Sequence, residues 1–185
     1  MSLVARWPLN GHARDIVGGL DATRVSGSGL TWNTSPIGLG AQFNANDDRI
    51  IIPHDDYINN RCFGKSKEFS VSFFYYPISY SDYGCVIQKP RAGSWSNSTM
   101  GVWIYSGGIR FIMGSDVSGN PSASYTAITK KPPVNQWVHV TCIADSKEMG
   151  MYLNGELVGR VDISTISHPR TSNDAPITIG PRYDN

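Results

Sequence analysis

Asn135-Gln-Trp-Val-His-Val-Thr-Cys-Ile-Ala-Asp145 is a strand written at period two, and Met149-Gly-Met-Tyr-Leu-Asn-Gly-Glu-Leu-Val158 follows it closely. In the first run Val138, Val140, Cys142 and Ala144 share one face. Trp137, His139, Thr141 and Ile143 share the other. The second run turns on Asn154-Gly155, the dipeptide that supplies the two positive φ angles of a tight type I′ turn. Apolar side chains on both faces of adjacent strands predict a place inside a sandwich rather than on a lone sheet.

Working outward, residues 68–76 read as the best central strand. Phe69, Val71, Phe73 and Tyr75 share one face; Ser70, Ser72, Phe74 and Tyr76 share the other, and Pro77 ends it. Residues 101–113 read as a second hairpin with Gly107-Gly108 as its turn. Pairing from that turn sets Tyr105 opposite Arg110 and Trp103 opposite Ile112 on one face, with Val102, Ile104, Phe111 and Met113 on the other. Short strands are also expected at residues 3–7, 40–43, 49–53, 85–88 and 177–180. Residues 114–135 read as mostly loop, and His54-Asp55-Asp56 as a solvated acidic loop. No helix longer than about two turns and no internal repeat is expected.

The bulk numbers agree with an all-β domain. The 185 residues contain 17% charged and 11% aromatic side chains, with 19 Gly and 11 Pro to make turns. A net charge of +1 and the lack of a long basic run leave no electrostatic footprint for nucleic acid. No apolar run approaches the ~18 residues of a membrane span, and the start of the chain lacks the apolar stretch of a signal peptide. The three cysteines, Cys62, Cys85 and Cys142, have no CxxC spacing and read as packed free thiols. A Cys62–Cys85 disulfide is the open alternative.

Six segments, in order, resemble the laminin-G-like, concanavalin A-like jelly-roll modules of bacteria and phages. They are Leu3-Val-Ala-Arg-Trp-Pro-Leu-Asn-Gly11, Ala41-Gln-Phe-Asn-Ala-Asn-Asp-Asp-Arg-Ile-Ile-Ile-Pro53, Phe69-Ser-Val-Ser-Phe-Phe-Tyr-Tyr-Pro77, Trp137-Val-His-Val140, Tyr152-Leu-Asn-Gly-Glu-Leu-Val158 and Ile177-Thr-Ile-Gly180. The resemblance implies an all-β, two-sheet antiparallel β-sandwich of concanavalin A-like jelly-roll type, with residues 1–185 as a single domain. Phe74 stands where the family usually has Trp. The family's closing strand is not seen before Asn185. The resemblance therefore implies a vacancy filled by residues 3–7 or by another chain, and hence a place in a larger assembly.

The resemblance also implies binding rather than cutting. Glycosidases on this sandwich carry alternating acids along one strand, and no strand here does. No His lies in a nucleophile motif such as G-x-S-x-G, and His139 reads as a packed imidazole. No catalytic residue is expected. Sugar recognition needs aromatic platforms beside planar polar groups. Trp95, Tyr80 and Tyr83 fall in one polar loop; Trp103, Tyr105 and Arg110 share the hairpin face. These six are the candidate ligand contacts. Members of this fold often bind calcium near one rim. Asn44, Asn46, Asp47 and Asp48 offer the oxygens for it, and a turn binding its own backbone is the competing account.

The expected function is a non-catalytic recognition module for a glycan or cell-surface polymer, as in a phage adhesin or other surface protein. Its rival is a structural virion module, a capsid decoration or tail-fibre component, whose partner is protein or a second copy. Either reading places the chain outside the cell or on a virion surface.

Overall fold

The computed structural model describes residues 2–62, 68–80, 84–89, 99–105, 107–114, 124–164 and 174–181; of residues 124–128 it describes the backbone. Thirteen strands and one helix follow in chain order among these residues: β1 (Arg24–Ser26), β2 (Thr31–Ser35), β3 (Gly38–Gln42), β4 (Arg49–Ile52), α1 (Asp56–Cys62), β5 (Phe69–Tyr75), β6 (Gly84–Lys89), β7 (Met100–Tyr105), β8 (Gly108–Gly114), β9 (Ser124–Lys130), β10 (Val138–Ala144), β11 (Glu148–Leu153), β12 (Glu156–Asp162) and β13 (Ile177–Ile179). Their pairing is antiparallel throughout. A seven-stranded sheet runs β1-β4-β13-β6-β7-β8-β9 and a four-stranded sheet runs β12-β11-β10-β5, with β2-β3 as a separate hairpin. The fold is the all-β, two-sheet sandwich expected from the sequence.

Period two explains why the sheets stack. Val138, Val140, Cys142 and Ala144 are 2, 0, 0 and 2% exposed, and they meet Ile52, Val102, Phe111 and Ile177 of the larger sheet in one core. Phe69 and Phe111 meet edge to face across the gap, centroids 6.0 Å apart. Asn154 and Gly155 take φ 51° and 84°, both positive as a type I′ turn requires. Cys62, Cys85 and Cys142 are free thiols, so the disulfide alternative falls.

Several local expectations are corrected. Among the described residues β5 ends the smaller sheet rather than sitting at its centre. Residues 124–130 form β9, not loop. β1 and β2, which are short and polar, carry no apolar alternation to announce them. Residues 3–7 are irregular; Val4, Ala5 and Trp7 pack on the core, and Trp7 Nε1 donates to the Leu20 carbonyl at 2.8 Å. Asp55 caps a helix: its carboxylate accepts the Ile58 amide at 2.8 Å, so the acidic stretch starts α1 instead of a loop. In the second hairpin Tyr105 pairs Gly108 and Trp103 pairs Arg110, two residues from the expected pairing. Gly108 belongs to the strand and Gly107, at φ 73°, to the turn. The two pairings differ by an even number of residues, so the faces are unchanged.

One buried cation stands at the end of β6. Lys89 is 1% exposed, and its Nζ donates to the Ala175 carbonyl at 2.7 Å and lies 3.4 Å from His54 Nδ1. Burial pulls its pKa down to about 8, against the pull of Asp174. It latches the approach to β13 onto the sheet.

Val140→Asp is expected to unfold the domain. It places an unpaired carboxylate between the sheets, a loss of several kcal/mol against a total of roughly 5–15. A soluble variant with an unchanged melting temperature would show that this face does not point inward.

Candidate functional site

The candidate calcium ligands are already committed to the backbone. Asp48 is fully buried; Oδ1 accepts the Gly29 amide at 2.8 Å and Oδ2 accepts those of Asn44 and Ala45 at 2.7 and 2.9 Å. Asp47 accepts the Ser28 amide and hydroxyl at 3.1 and 2.9 Å, and Asn44 Nδ2 donates to the Gly29 carbonyl at 2.7 Å. Asn46 is exposed. A calcium ion wants six to eight free oxygens; here the buried carboxylate already serves as the ion for a ring of amides. The donor set does not fit the metal. Asp15 does the same work at residues 6–20, accepting amides of Arg6, Val17, Gly18 and Leu20.

Burial alone would raise the pKa of both carboxyls, but the amides outweigh it and hold Asp15 and Asp48 below the ordinary 3.8. A depressed pKa gives stability that is present above 3.8 and lost as pH falls through the folded value. Asp48→Asn is expected to cost about 3 kcal/mol at neutral pH, since an amide nitrogen now faces amide donors. It should also flatten the acid side of the stability curve, measured by melts from neutral to about pH 2.5. Melts of the wild type with calcium and with chelator should superimpose; a calcium-dependent rise lost in Asp48→Asn would restore the metal.

The hairpin trio lies on the outer face of the larger sheet. Trp103 is only 8% exposed, packed with Cys85 and Ile112 in a small cluster and folded over Gly101, where a Cβ would collide with the indole. The Arg110 guanidinium stands 3.8 Å over the Tyr105 ring, and its Nε donates to Thr129 Oγ1 at 3.3 Å. These rings stack on their own neighbours. Tyr80 donates its hydroxyl to the Pro132 carbonyl at 2.8 Å, with Lys131 Nζ 5.8 Å from its ring, and burial raises its pKa to about 12. Trp95 and Tyr83 lie outside the described residues.

The exposed aromatic surface lies elsewhere, on the outer face of the smaller sheet. Phe74, Tyr76 and Trp137 are 40, 39 and 37% exposed. The Tyr76 and Trp137 rings lie 5.3 Å apart at 58°, and Phe74 meets the His139 ring at 5.0 Å and 47°. A polar row follows along the same strands. Ser72 Oγ is 2.7 Å from His139 Nε2 and accepts from Thr141 Oγ1 at 3.3 Å. Register explains the order: Phe74 pairs His139 and Ser72 pairs Thr141 across β5 and β10, and Thr141 pairs Tyr152 across β10 and β11. The β2-β3 hairpin flanks the indole, since a Cβ on Gly40 would lie 3.7 Å from Trp137 Cη2. The alternation of both strands puts these side chains on one face, as found, but that face is not among the candidate ligand surfaces of the sequence. Its signal was Ser70, Ser72, His139 and Thr141, which cannot be buried in number without partners.

The chain belongs to the concanavalin A-like lectin/glucanase superfamily, whose laminin-G model matches residues 44–185. No curated protein sequence matches it. The receptor-binding domain of botulinum neurotoxin C/D mosaic serotype is similar in structure, with TM-score 0.74 and 20% identity over 96% of this chain and 42% of that one. So is domain 4 of the extracellular arabinanase AbnA from Geobacillus stearothermophilus, solved with arabinotriose: TM-score 0.71 and 18% identity over 100% of this chain and 85% of that one. Botulinum neurotoxin type C, whose cell entry is dependent upon interaction with two ganglioside molecules, gives TM-score 0.69 and 18% identity over 99% of this chain and 43% of that one. The chain thus spans less than half of the neurotoxin chains it resembles.

Proposed function

We propose that the chain is a non-catalytic recognition module that binds a glycan or cell-surface polymer through the outer face of the smaller sheet. The observation that carries this is the Tyr76–Trp137 and Phe74–His139 ring pairs, three of their rings exposed and His139 half-buried, continuous with a row of hydroxyls. Ring faces take the C–H faces of sugars, and the hydroxyls and imidazole take their hydroxyl groups. The likeness to a domain solved with arabinotriose supports the reading. Two carboxylates of this sheet are otherwise engaged: Glu148 pairs Arg160 at 3.3 Å and Asp162 accepts the Ser164 amide at 2.8 Å. That supports binding without turnover. Such a module works at an extracellular or virion surface, and a phage adhesin is one protein that would carry it.

A second reading, a structural virion module docked on protein, draws on the exposed Ile78, Val134 and Leu157 of the same region. A glycan array separates the two. The wild type is expected to give hits, and Trp137→Ala to weaken them on the order of 10- to 100-fold, borrowing the scale of base–aromatic stacking. Hits that survive Trp137→Ala but are lost in Trp95→Ala move the site to the loop carrying Tyr80, Tyr83 and Trp95. Self-association in light scattering with an empty array favours the structural reading. No polysaccharide should release reducing ends; turnover abolished by changing one carboxylate would make the chain an enzyme.

A further inference from the structure

The shape and charge of the aromatic face narrow what it can hold. Interplanar angles of 58° and 47° mean that the two rings of each pair do not lie in one plane. A flat crystalline array of chains presents one plane and could touch one ring of each pair. A single chain can rotate about its glycosidic bonds and offer each ring a sugar at its own tilt. The polar row gives the direction. From Tyr76, just past the end of β5, back to Ser70 the outward positions run about 20 Å, at roughly 3.3 Å per residue, with rings at one end and hydroxyls at the other. The trough therefore follows the strands, stacking first and hydrogen-bonding second.

The charge of the described residues disfavours a second class. A uronate or sialate carboxylate calls for an arginine fork or a lysine. Among the described residues the outward positions Ser70, Ser72, Phe74, Tyr76, Trp137 and Thr141 carry none, and the His139 imidazole beside them lies 2.7 Å from Ser72 Oγ. Arg160 lies two strands from β10, opposite Gly150, and is held by Glu148 at 3.3 Å. Lys131 stands over the Tyr80 ring.

We infer that this face takes a single soluble chain of neutral sugars lying along β5 and β10, and discriminates against crystalline polysaccharide and acidic glycans; the inference rests on the glycan-binding reading above. The test at neutral pH sets three panels against the wild type, Trp137→Ala and Ser72→Ala/Thr141→Val. The panels are soluble arabinan, xylan and mixed-linkage glucan by affinity electrophoresis, crystalline cellulose and chitin by depletion, and polygalacturonate and polysialic acid by electrophoresis. At least one soluble neutral polymer is expected to retard the wild type. Trp137→Ala should weaken that by tenfold or more, and the double variant by severalfold, on the scale of lost hydrogen bonds. The other two panels should bind at least tenfold more weakly. Depletion by a crystalline polymer, or retardation by an acidic one, equal to that of the neutral chain and sensitive to Trp137→Ala overturns the inference and leaves the glycan reading standing. Neutral binding insensitive to both variants overturns the site. Silence in all three panels overturns the glycan reading itself, and self-association abolished by Trp137→Ala then assigns the face to protein.

Discussion

The buried layer along β10 is the constraint on which the rest of the domain depends. Val138, Val140, Cys142 and Ala144 lie in the plane where the two sheets meet, and β10 is held on both sides by ladders to β5 and β11. Moving β10 by one residue would bury His139 and Thr141 and expose Val140 and Cys142. Such a slip costs several buried apolar side chains at roughly 1.5–3 kcal/mol each, so the register has no close competitor. The outward residues inherit that precision. Trp137, His139 and Thr141 stand where they do because their neighbours are locked in the core. A surface built this way is preorganised, and a ligand that meets it has little loop entropy to remove.

Loops in this domain are ordered by a different device. Asp15 and Asp48 are each enclosed by backbone amides, and each ties together segments that share no ladder. Asp48 joins residues 29 and 44–45, so it sets how the β2-β3 hairpin leaves the body of the protein. That hairpin in turn flanks Trp137 through Gly40. An acidic turn that reads as metal chemistry in one dimension thus positions a wall of the aromatic face in three. Lys89 is the cationic counterpart, buried and bonded to the Ala175 carbonyl ahead of β13.

What could be read from the sequence follows from where the information is local. Alternation in residues 69–75 and 138–144 and the Asn154-Gly155 turn are short-range patterns, and they gave the strands, their faces and the hairpin. β9 was missed because Ser124-Tyr-Thr-Ala-Ile-Thr-Lys130 is a moderate strand pattern among turn residues, and its partner β8 is what makes it a strand. β2 was missed because Thr31-Trp-Asn-Thr-Ser35 has one large apolar side chain. The place of β5 at the end of its sheet is a matter of topology, which no window of residues contains. The candidate site failed for a related reason. Trp103 shares a face with Tyr105 and Arg110 as read, but only the fold shows that Cys85 comes across to cover it.

Exposure, then, separates the two aromatic surfaces. Both sheets carry rings on their outer faces. On the larger sheet, the Trp103 indole is closed over by Gly101, Cys85 and Ile112, and Tyr105 is covered by Arg110, which serves the stability of the sheet. On the smaller sheet Phe74, Tyr76 and Trp137 keep more than a third of their surface in water. Folding alone gives no reason for that. A polar residue at any of the three would relieve an unfavourable apolar exposure without disturbing the inward neighbours, because period two separates the faces. Single exposed apolar residues need no explanation, but paired rings beside a hydroxyl row form a patch, and patches mark what a surface meets. The sandwich can carry such a patch at little risk to its core, since the residues that hold the fold and those that face the ligand alternate along the same two strands.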